Sequence, residues 1–308
     1  MKKAIVTGGA GFIGSHLSEE LAQRDYSLTI IDDLSTGKRE NLSAIINKPN
    51  VKFIKGNITD LPMLQKLFKG IDYVFHLAAM ASVPRSLEVP QLTHDVNVTG
   101  TLNVLIAARD NKVKKVINAS SCAIYGDAPG LPKKEGMPMN PLSPYAVTKL
   151  AAEEYFQIFQ KVYRLPTVSL RFFNIFGPRQ NPDSDYAAAI PKFIKIMSQG
   201  EAVNIYGNGK ATRDYIYVKD AVRAFVLAAE SDASGIYNIG SGKSTTVNEL
   251  AEIISKLTGN KKPPVYGPIR PGDILHSRAD ASKAKTFGYS PKYTLEAGIK
   301  ETIKYMVP

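Results

Sequence analysis

Tyr145 and Lys149 stand four residues apart in the stretch SPYAVTK, residues 143–149, directly behind Pro141 and Pro144. Pro144 favours a helix start, and on the helix that follows positions i and i+4 share a face. A free phenol has a pKa of about 10, so on the order of 0.1% is ionised at neutral pH. A neighbouring ammonium favours the phenolate. Bringing the phenol to about 7 takes roughly 4 kcal/mol, of which one lysine supplies part. The pair therefore has the makings of a general base. Taken alone, it is equally what an amphipathic tyrosine and a solvated lysine look like, so the setting decides.

Upstream, TGGAGFIG runs from Thr7 to Gly14 and contains both Gly9-x-Gly11-x-x-Gly14 and Gly8-x-x-Gly11-x-x-Gly14. It follows a strand-like run and opens a helical one, the context a dinucleotide fingerprint requires. Glycine permits the tight turn and close approach of a pyrophosphate, and the helix N-terminus offers free N–H groups and a positive dipole end. Asp32 ends the next strand-like run, about 20 residues on, where a carboxylate accepts both hydroxyls of an adenosine ribose. That charge would repel a 2′-phosphate, so NAD is expected over NADP. Lys38 and Arg39 follow and read best as a solvated helix start. Asn57 and Ile58, at the end of the third strand-like run, are expected beside the adenine edge.

In that setting Tyr145 becomes a base beside a hydride acceptor, with the positive nicotinamide ring adding to the lysine's pull. Ser121 lies 24 residues before Tyr145, just past a strand end. Open α/β sheets bind ligands at the carboxyl ends of their strands, and a hydroxyl there can donate to a substrate oxygen. Adjacent Cys122 reads as a small buried residue, because no histidine lies near it in sequence to activate a thiol.

The elements that must carry these residues alternate. Strand-like runs at 27–32, 51–57, 72–79, 114–120 and 166–173 are separated by helical patterns, including 11–24, 92–111 and 145–164. This predicts right-handed βαβ units in an α/β, doubly wound parallel-sheet Rossmann domain. After residue 173 the texture changes. NIFGPRQNPDSDYAAA reads as a loop, residues 213–230 as a strand, a turn and a buried helix, 235–242 as a short strand, and 294–305 as a last helix. The expected organisation is an NAD-binding domain over 1–173, with return segments near 214–240, and a smaller, irregular α/β substrate domain over 174–308.

The 308 residues are 44% hydrophobic and 22% charged, enough for a large core and unlike a disordered chain. No apolar run reaches the eighteen or so residues of a membrane span. The opening MKKAIVTGG faintly mimics a signal peptide, but Thr7, the glycines and nearby His16, Glu19 and Glu20 argue against secretion, so a cytoplasmic protein is expected. One cysteine and four scattered histidines make no metal-ligand spacing. The net charge of +11 comes without a run of five basic residues, and reads as solvated surface with a few arginines recruited to phosphates rather than a nucleic-acid site.

Together these residues resemble the extended short-chain dehydrogenase/reductase superfamily, and within it the UDP-glucose/UDP-N-acetylglucosamine 4-epimerase family. The resemblance covers nearly the whole chain: TGGAGFIG, HLAAMASVPRS, NVTGTLNVL, SSCAIYGD, SPYAVTK, RFFNIFGPRQ, TRDYIYVKD and IRPGDILHSRAD. It implies Ser121, Tyr145 and Lys149 as the catalytic set. It implies Gly8, Gly11, Phe12, Ile13, Asp32, Asn57, Ile58, Ala78 and Asn97 around NAD, with Tyr145 and Lys149 also touching it. Asn174, Arg213 and Arg270 are implied at the nucleotide diphosphate and Asp273 at the uridine ribose. Guanidinium forks suit phosphate oxygens. Asn57 departs from the aspartate many relatives carry.

Family dehydratases and decarboxylases carry a glutamate two residues before the tyrosine of YG, where this chain has Ala123. Elimination is thereby disfavoured, leaving reversible oxidation and reduction at one carbon. In these epimerases the position of Ser277 forms part of the sugar-pocket wall, and a small residue makes room for a 2-N-acetyl group. The resemblance thus implies interconversion of UDP-N-acetylglucosamine with UDP-N-acetylgalactosamine, and also of UDP-glucose with UDP-galactose. The runner-up is a UDP-glucuronate 4-epimerase, with Arg85 or Lys210 facing the carboxylate. A non-catalytic NAD sensor or RNA-binding module is the reading from another class. The family also implies a homodimer through the helices near 92–111 and 145–164, where Leu102, Leu105 and Ile106 suit either an interface or the core.

Overall fold

The computed structural model describes residues 1–183, 187–269 and 274–307. The first half lays down β1 (Lys2–Thr7), α1 (Phe12–Gln23), β2 (Tyr26–Asp32), β3 (Val51–Lys55), α2 (Leu61–Leu67) and β4 (Tyr73–His76). It continues through α3 (Val83–Glu88), α4 (Pro90–His94), α5 (Gly100–Asp110), β5 (Lys115–Ser121), α6 (Pro144–Tyr163) and β6 (Thr167–Phe172). The second half holds β7 (Asn174–Phe176), α7 (Ala189–Ser198), β8 (Asn204–Tyr206), β9 (Thr212–Arg213), β10 (Tyr215–Tyr217), α8 (Val218–Glu230) and β11 (Gly235–Ile239). The chain then ends with β12 (Thr245–Thr246), α9 (Val247–Thr258), β13 (Val265–Gly267) and α10 (Leu295–Met306).

Seven strands form one parallel sheet in the order β11-β6-β5-β4-β1-β2-β3. The sequence order reverses on either side of β1 and β4, the switch point where α/β sheets bind dinucleotides. The inner strand β6 is buried throughout and β1 from Ala4 to Thr7, as expected of a sheet covered on both faces. One face packs Leu17 and Leu21 of α1 and Val222 and Phe225 of α8. The other packs Leu64 of α2, Val104 of α5 and Phe156 of α6. A separate apolar cluster, with Ile194 of α7, Ile254 of α9 and Ile299 of α10, underlies the smaller lobe. The expected fold class, a doubly wound Rossmann sheet with a smaller lobe, is the one found.

Two local expectations need correction. The single helix read over 92–111 is α4, then a π-helical turn over Asp95–Thr99, then α5. Its apolar spacing does not register the extra residue of such a turn. The turn aims Asn97 inward, where its amide accepts from Met80 N–H at 2.7 Å and donates to Thr148 Oγ1 at 3.0 Å. The loop read after residue 173 contains β7, which pairs in parallel with β10, Asn174 opposite Tyr215. Three residues are too few to show an alternation. Of the apolar positions weighed for an interface, Leu105 is fully buried, and Leu102 and Ile106 pack against the same core.

Candidate active site

The glycine loop joins β1 to α1, and its glycines are there because nothing larger fits. Gly8 has φ +70°, and a Cβ on it would lie 2.6 Å from Ala78 N. A Cβ on Gly14 would lie 2.1 Å from the Gly8 carbonyl oxygen. Gly11 caps α1 without a side-chain hydrogen bond, and the first turn carries no acid, so its N–H groups face outward for an anion. Phe12 opens α1 edge-on to His16 at 6.1 Å, and Ile13 packs on the core behind.

Asp32 sits at the C-terminal end of β2, 7% exposed. Its carboxylate accepts from Ala10 N–H at 2.9 Å and Leu34 N–H at 2.8 Å, which fix its direction. Burial raises its pKa and these bonds oppose the rise. A Cβ on Gly37 would come within 2.7 Å of the same carboxylate, so the loop after β2 also needs glycine there. This close-approach position carried no motif of its own. Asn57 donates to Asp33 at 3.0 Å and accepts from Thr59 N–H at 2.9 Å, so its amide is tied to its own loop. Ile58 is buried against Gly100. Ala78 N–H bonds Thr7 Oγ1 at 3.3 Å beside the glycine turn. A cradle closed to any Cβ, a free helix start and a ribose-directed carboxylate fit NAD.

Ser143 caps α6 through Ala146 N–H at 3.2 Å, and Pro144 takes the first helical position. This start puts Tyr145 and Lys149 on one face, opposite the end of β5. Ser121 Oγ accepts from Ala123 N–H at 3.1 Å and faces the Tyr145 phenol, whose pKa it lowers. Lys149 is 7% exposed, donates to the Ala119 carbonyl at 2.8 Å and stands 5.9 Å from the centre of the Tyr145 ring.

The electrostatics reverse one expectation. Burial pushes the Tyr145 phenol up to about 12, with Ser121 pulling the other way. Burial brings the Lys149 ammonium down to about 8, opposed by the Glu153 carboxylate. Desolvation is the largest influence on the phenol, which no residue spacing reveals. Behind the pair, His76 bridges Thr7 Oγ1 at 2.8 Å and Thr101 Oγ1 at 2.9 Å, and burial lowers its pKa to about 3. It is a neutral brace between β1, β4 and α5.

A cavity of about 230 Å³ is lined by Asn174, Arg213, Tyr215 and the start of α7. Asn174 is anchored by donating to the Asp214 carbonyl at 3.1 Å. Arg213 bonds the Thr212 carbonyl at 3.0 Å and is close enough to Cys122 to stabilise a thiolate there. Ser277 is buried close to Cys122. Burial carries the thiol up to about 12, which leaves it inert. Arg85 is exposed on α3 and paired with Glu88 at 3.2 Å, and Lys210 is exposed. Arg270 and Asp273 lie outside the described residues.

Rossmann enzymes that work on a substrate through a bound dinucleotide have this layout: phosphate cradle at one strand end, proton-handling side chains at the next. The model of the NAD dependent epimerase/dehydratase family matches residues 4–240, and the chain belongs to that family. It is similar to the solved UDP-N-acetylglucosamine 4-epimerase of Methanobrevibacter ruminantium, in complex with UDP-N-acetylmuramic acid. The two are 46% identical with a TM-score of 0.97, over 99% of this chain and 98% of that one. It is 38% identical to the UDP-glucose 4-epimerase of Mycolicibacterium smegmatis, over 98% of both chains. The UDP-glucose 4-epimerase of Thermus thermophilus, solved with NAD, is 37% identical, TM-score 0.89, over 98% of both. The cofactor is NAD.

Proposed function

We propose that the chain epimerises UDP-hexoses at C4, interconverting UDP-N-acetylglucosamine with UDP-N-acetylgalactosamine and also UDP-glucose with UDP-galactose. The observation that carries the acetylated substrate is the small residue Ser277, buried close to Cys122, which directly follows Ser121. A small wall there leaves width beside the reacting carbon for an N-acetyl group. The likeness to the Methanobrevibacter enzyme supports the same reading.

When bound, NAD takes the C4 hydride and later returns it. Tyr145 Oη withdraws the O4 proton as O4 becomes a carbonyl, and Ser121 holds that oxygen with its hydroxyl. Burial alone keeps the phenol protonated, so its base form depends on positive charge beside it, which Lys149 supplies; once protonated, Tyr145 gives the proton back in the second half. Lys149 supplies positive charge beneath the ring. Asn174 and Arg213, joined by Arg270, grip the diphosphate, with Asp273 at the uridine ribose. The 4-keto sugar turns about that fixed anchor and presents its other face. Glu88 occupies Arg85, and both lie on an exposed helix, which disfavours the uronate reading.

The same proposal includes a homodimer. Val147, Ile158 and Val162 form an apolar stripe on α6 and are 51%, 49% and 59% exposed. Leu92 of α4 is 48% exposed. The decisive assay incubates purified protein with UDP-N-acetylglucosamine, UDP-glucose and UDP-glucuronate separately and resolves the epimers. Turnover of UDP-glucuronate alone would overturn the assignment.

A further inference from the structure

Among the described residues, Glu153 and Asp214 are fully buried carboxylates that the proton chemistry above leaves unused, and Glu153 is the one on the helix of Tyr145 and Lys149. It stands four residues beyond Lys149, as Lys149 stands beyond Tyr145, so all three share one face of α6. Its side chain is 0% exposed and faces Arg171 of β6, which is 1% exposed. Arg171 donates to it through Nε at 2.9 and 3.1 Å and Nη2 at 2.7 Å. The third donor, and the fourth hydrogen bond, is the Ser120 hydroxyl, one residue before Ser121. Ser120 and Arg171 are register partners across β5 and β6. Arg171 Nη1 goes on to Tyr125 Oη at 2.8 Å, in the 3-10 turn that Ser121 caps, and Tyr125 reaches Asn238 of β11 at 2.7 Å. One carboxylate therefore meets the strand bearing Ser121, the turn after it and the helix bearing Tyr145 and Lys149.

A buried arginine would be neutralised by any carboxylate, so the ion pair alone does not explain this position. The position of Lys149 does. Among the described residues, the titratable groups found to act on its ammonium or to lie against it are Tyr145 and Glu153 on α6 and His76 on β4, with Arg171 of β6 paired to Glu153 behind them. His76 is neutral and Arg171 is cationic. Glu153 alone brings negative charge, and the hydrogen bond to Ala119 is the only other polar support.

We propose that Glu153 is a positioning residue that keeps the Lys149 ammonium charged at working pH and holds Ser121 in register with Tyr145. It touches neither sugar nor cofactor. The inference rests on the proposed proton chemistry for its use, but it is testable without turnover.

The experiment follows the Lys149 side chain by 13C NMR in protein with labelled lysine, assigned by its loss in Lys149→Met. In the parent the Cε signal should titrate near 8, where burial and Glu153 balance. In Glu153→Gln the midpoint should fall by a unit or more, and the alkaline limb of kcat/KM should move with it. Turnover at pH 8 then drops about fivefold or more while turnover at pH 6 stays within about threefold of the parent. Glu153→Asp, which keeps the charge, should recover most of the midpoint. If the buried arginine keeps Glu153→Gln from folding, Glu153→Gln with Arg171→Met removes the orphan cation and carries the same expectation. An unshifted Lys149 midpoint in whichever folded variant lacks the carboxylate overturns the proposal. Failure of all variants and parent to epimerise, with the midpoint shifted, would instead sink the proposed activity.

Discussion

The Lys149 ammonium donates to the Ala119 carbonyl at 2.8 Å and lies 5.9 Å from the centre of the Tyr145 ring, so lysine and phenol are neighbours without a direct hydrogen bond. The lysine acts on the tyrosine through space. In a buried site that is effective only while the lysine keeps its proton, and burial works against it. The chemistry of the pair is therefore a contest between desolvation and charge, with the backbone of β5 and the carboxylate of Glu153 on the lysine's side.

Tyr145→Phe removes the oxygen and keeps the packing. Turnover on every UDP-hexose should fall by about 10² to 10⁴, the usual contribution of a positioned acid or base. NAD content and melting temperature should stay near the parent's. A variant that epimerises at the parental rate would remove Tyr145 from the chemistry.

Lys149→Met should be more stable than the parent at neutral pH and inactive. The folded-state pKa of Lys149 lies near 8, below the ordinary lysine value of 10.5. The unfolded chain therefore binds more protons between those values, and the parent's stability rises with pH across that window. Below it the parent bears the full cost of a buried ammonium, on the order of 1–3 kcal/mol. The variant's advantage in denaturant melts should be largest at pH 7 and vanish near pH 10.5. An advantage that grows with pH would mean the sign is wrong.

Ser277→Tyr fills the wall beside Cys122. Turnover of UDP-N-acetylglucosamine should fall more than tenfold while that of UDP-glucose changes less than threefold, since one mispacked group in a pocket discriminates by roughly 10–200-fold. Equal loss on both substrates would show that Ser277 does not line the acetyl side.

Gly14→Ala brings a methyl group to 2.1 Å from the Gly8 carbonyl, so the turn must open. Purified protein should lose its NAD, read by absorbance after acid release, and melt several degrees lower. Full NAD content in a well-folded Gly14→Ala protein would contradict the cradle.

Val147→Glu with Ile158→Lys should convert dimer to monomer in sedimentation velocity with little loss of monomer stability, because both positions are about half exposed. A parent protein already monomeric at micromolar concentration would end the dimer proposal.

Much of this was legible in residue order, and the rest has a common reason for being hidden. The Tyr145–Lys149 spacing and the Pro144 start are local, so helix geometry alone places both side chains on one face. The glycine pattern is local too, as is the alternation that gave the doubly wound sheet. What escaped depends on partners far apart in the chain. Arg171 meets Glu153 across eighteen residues and Tyr125 across forty-six. His76 meets Thr7 across sixty-nine. Gly37 matters only because the loop after β2 folds back on Asp32. The direction of the Tyr145 shift was missed for the same reason, since desolvation is a property of the finished enclosure.

The last strand of the large sheet, β11, is added beside β6 only after the chain has built β7 to β10 and α8. During synthesis, β6 must therefore wait with an open edge until residue 239 of 308 has been made. An unpaired edge strand is a template for pairing with other chains. A stalled or truncated product ending before Gly235 should thus be the species that aggregates or engages chaperones, and Asn238, which closes the Tyr125–Arg171 chain of bonds, arrives on the same late strand.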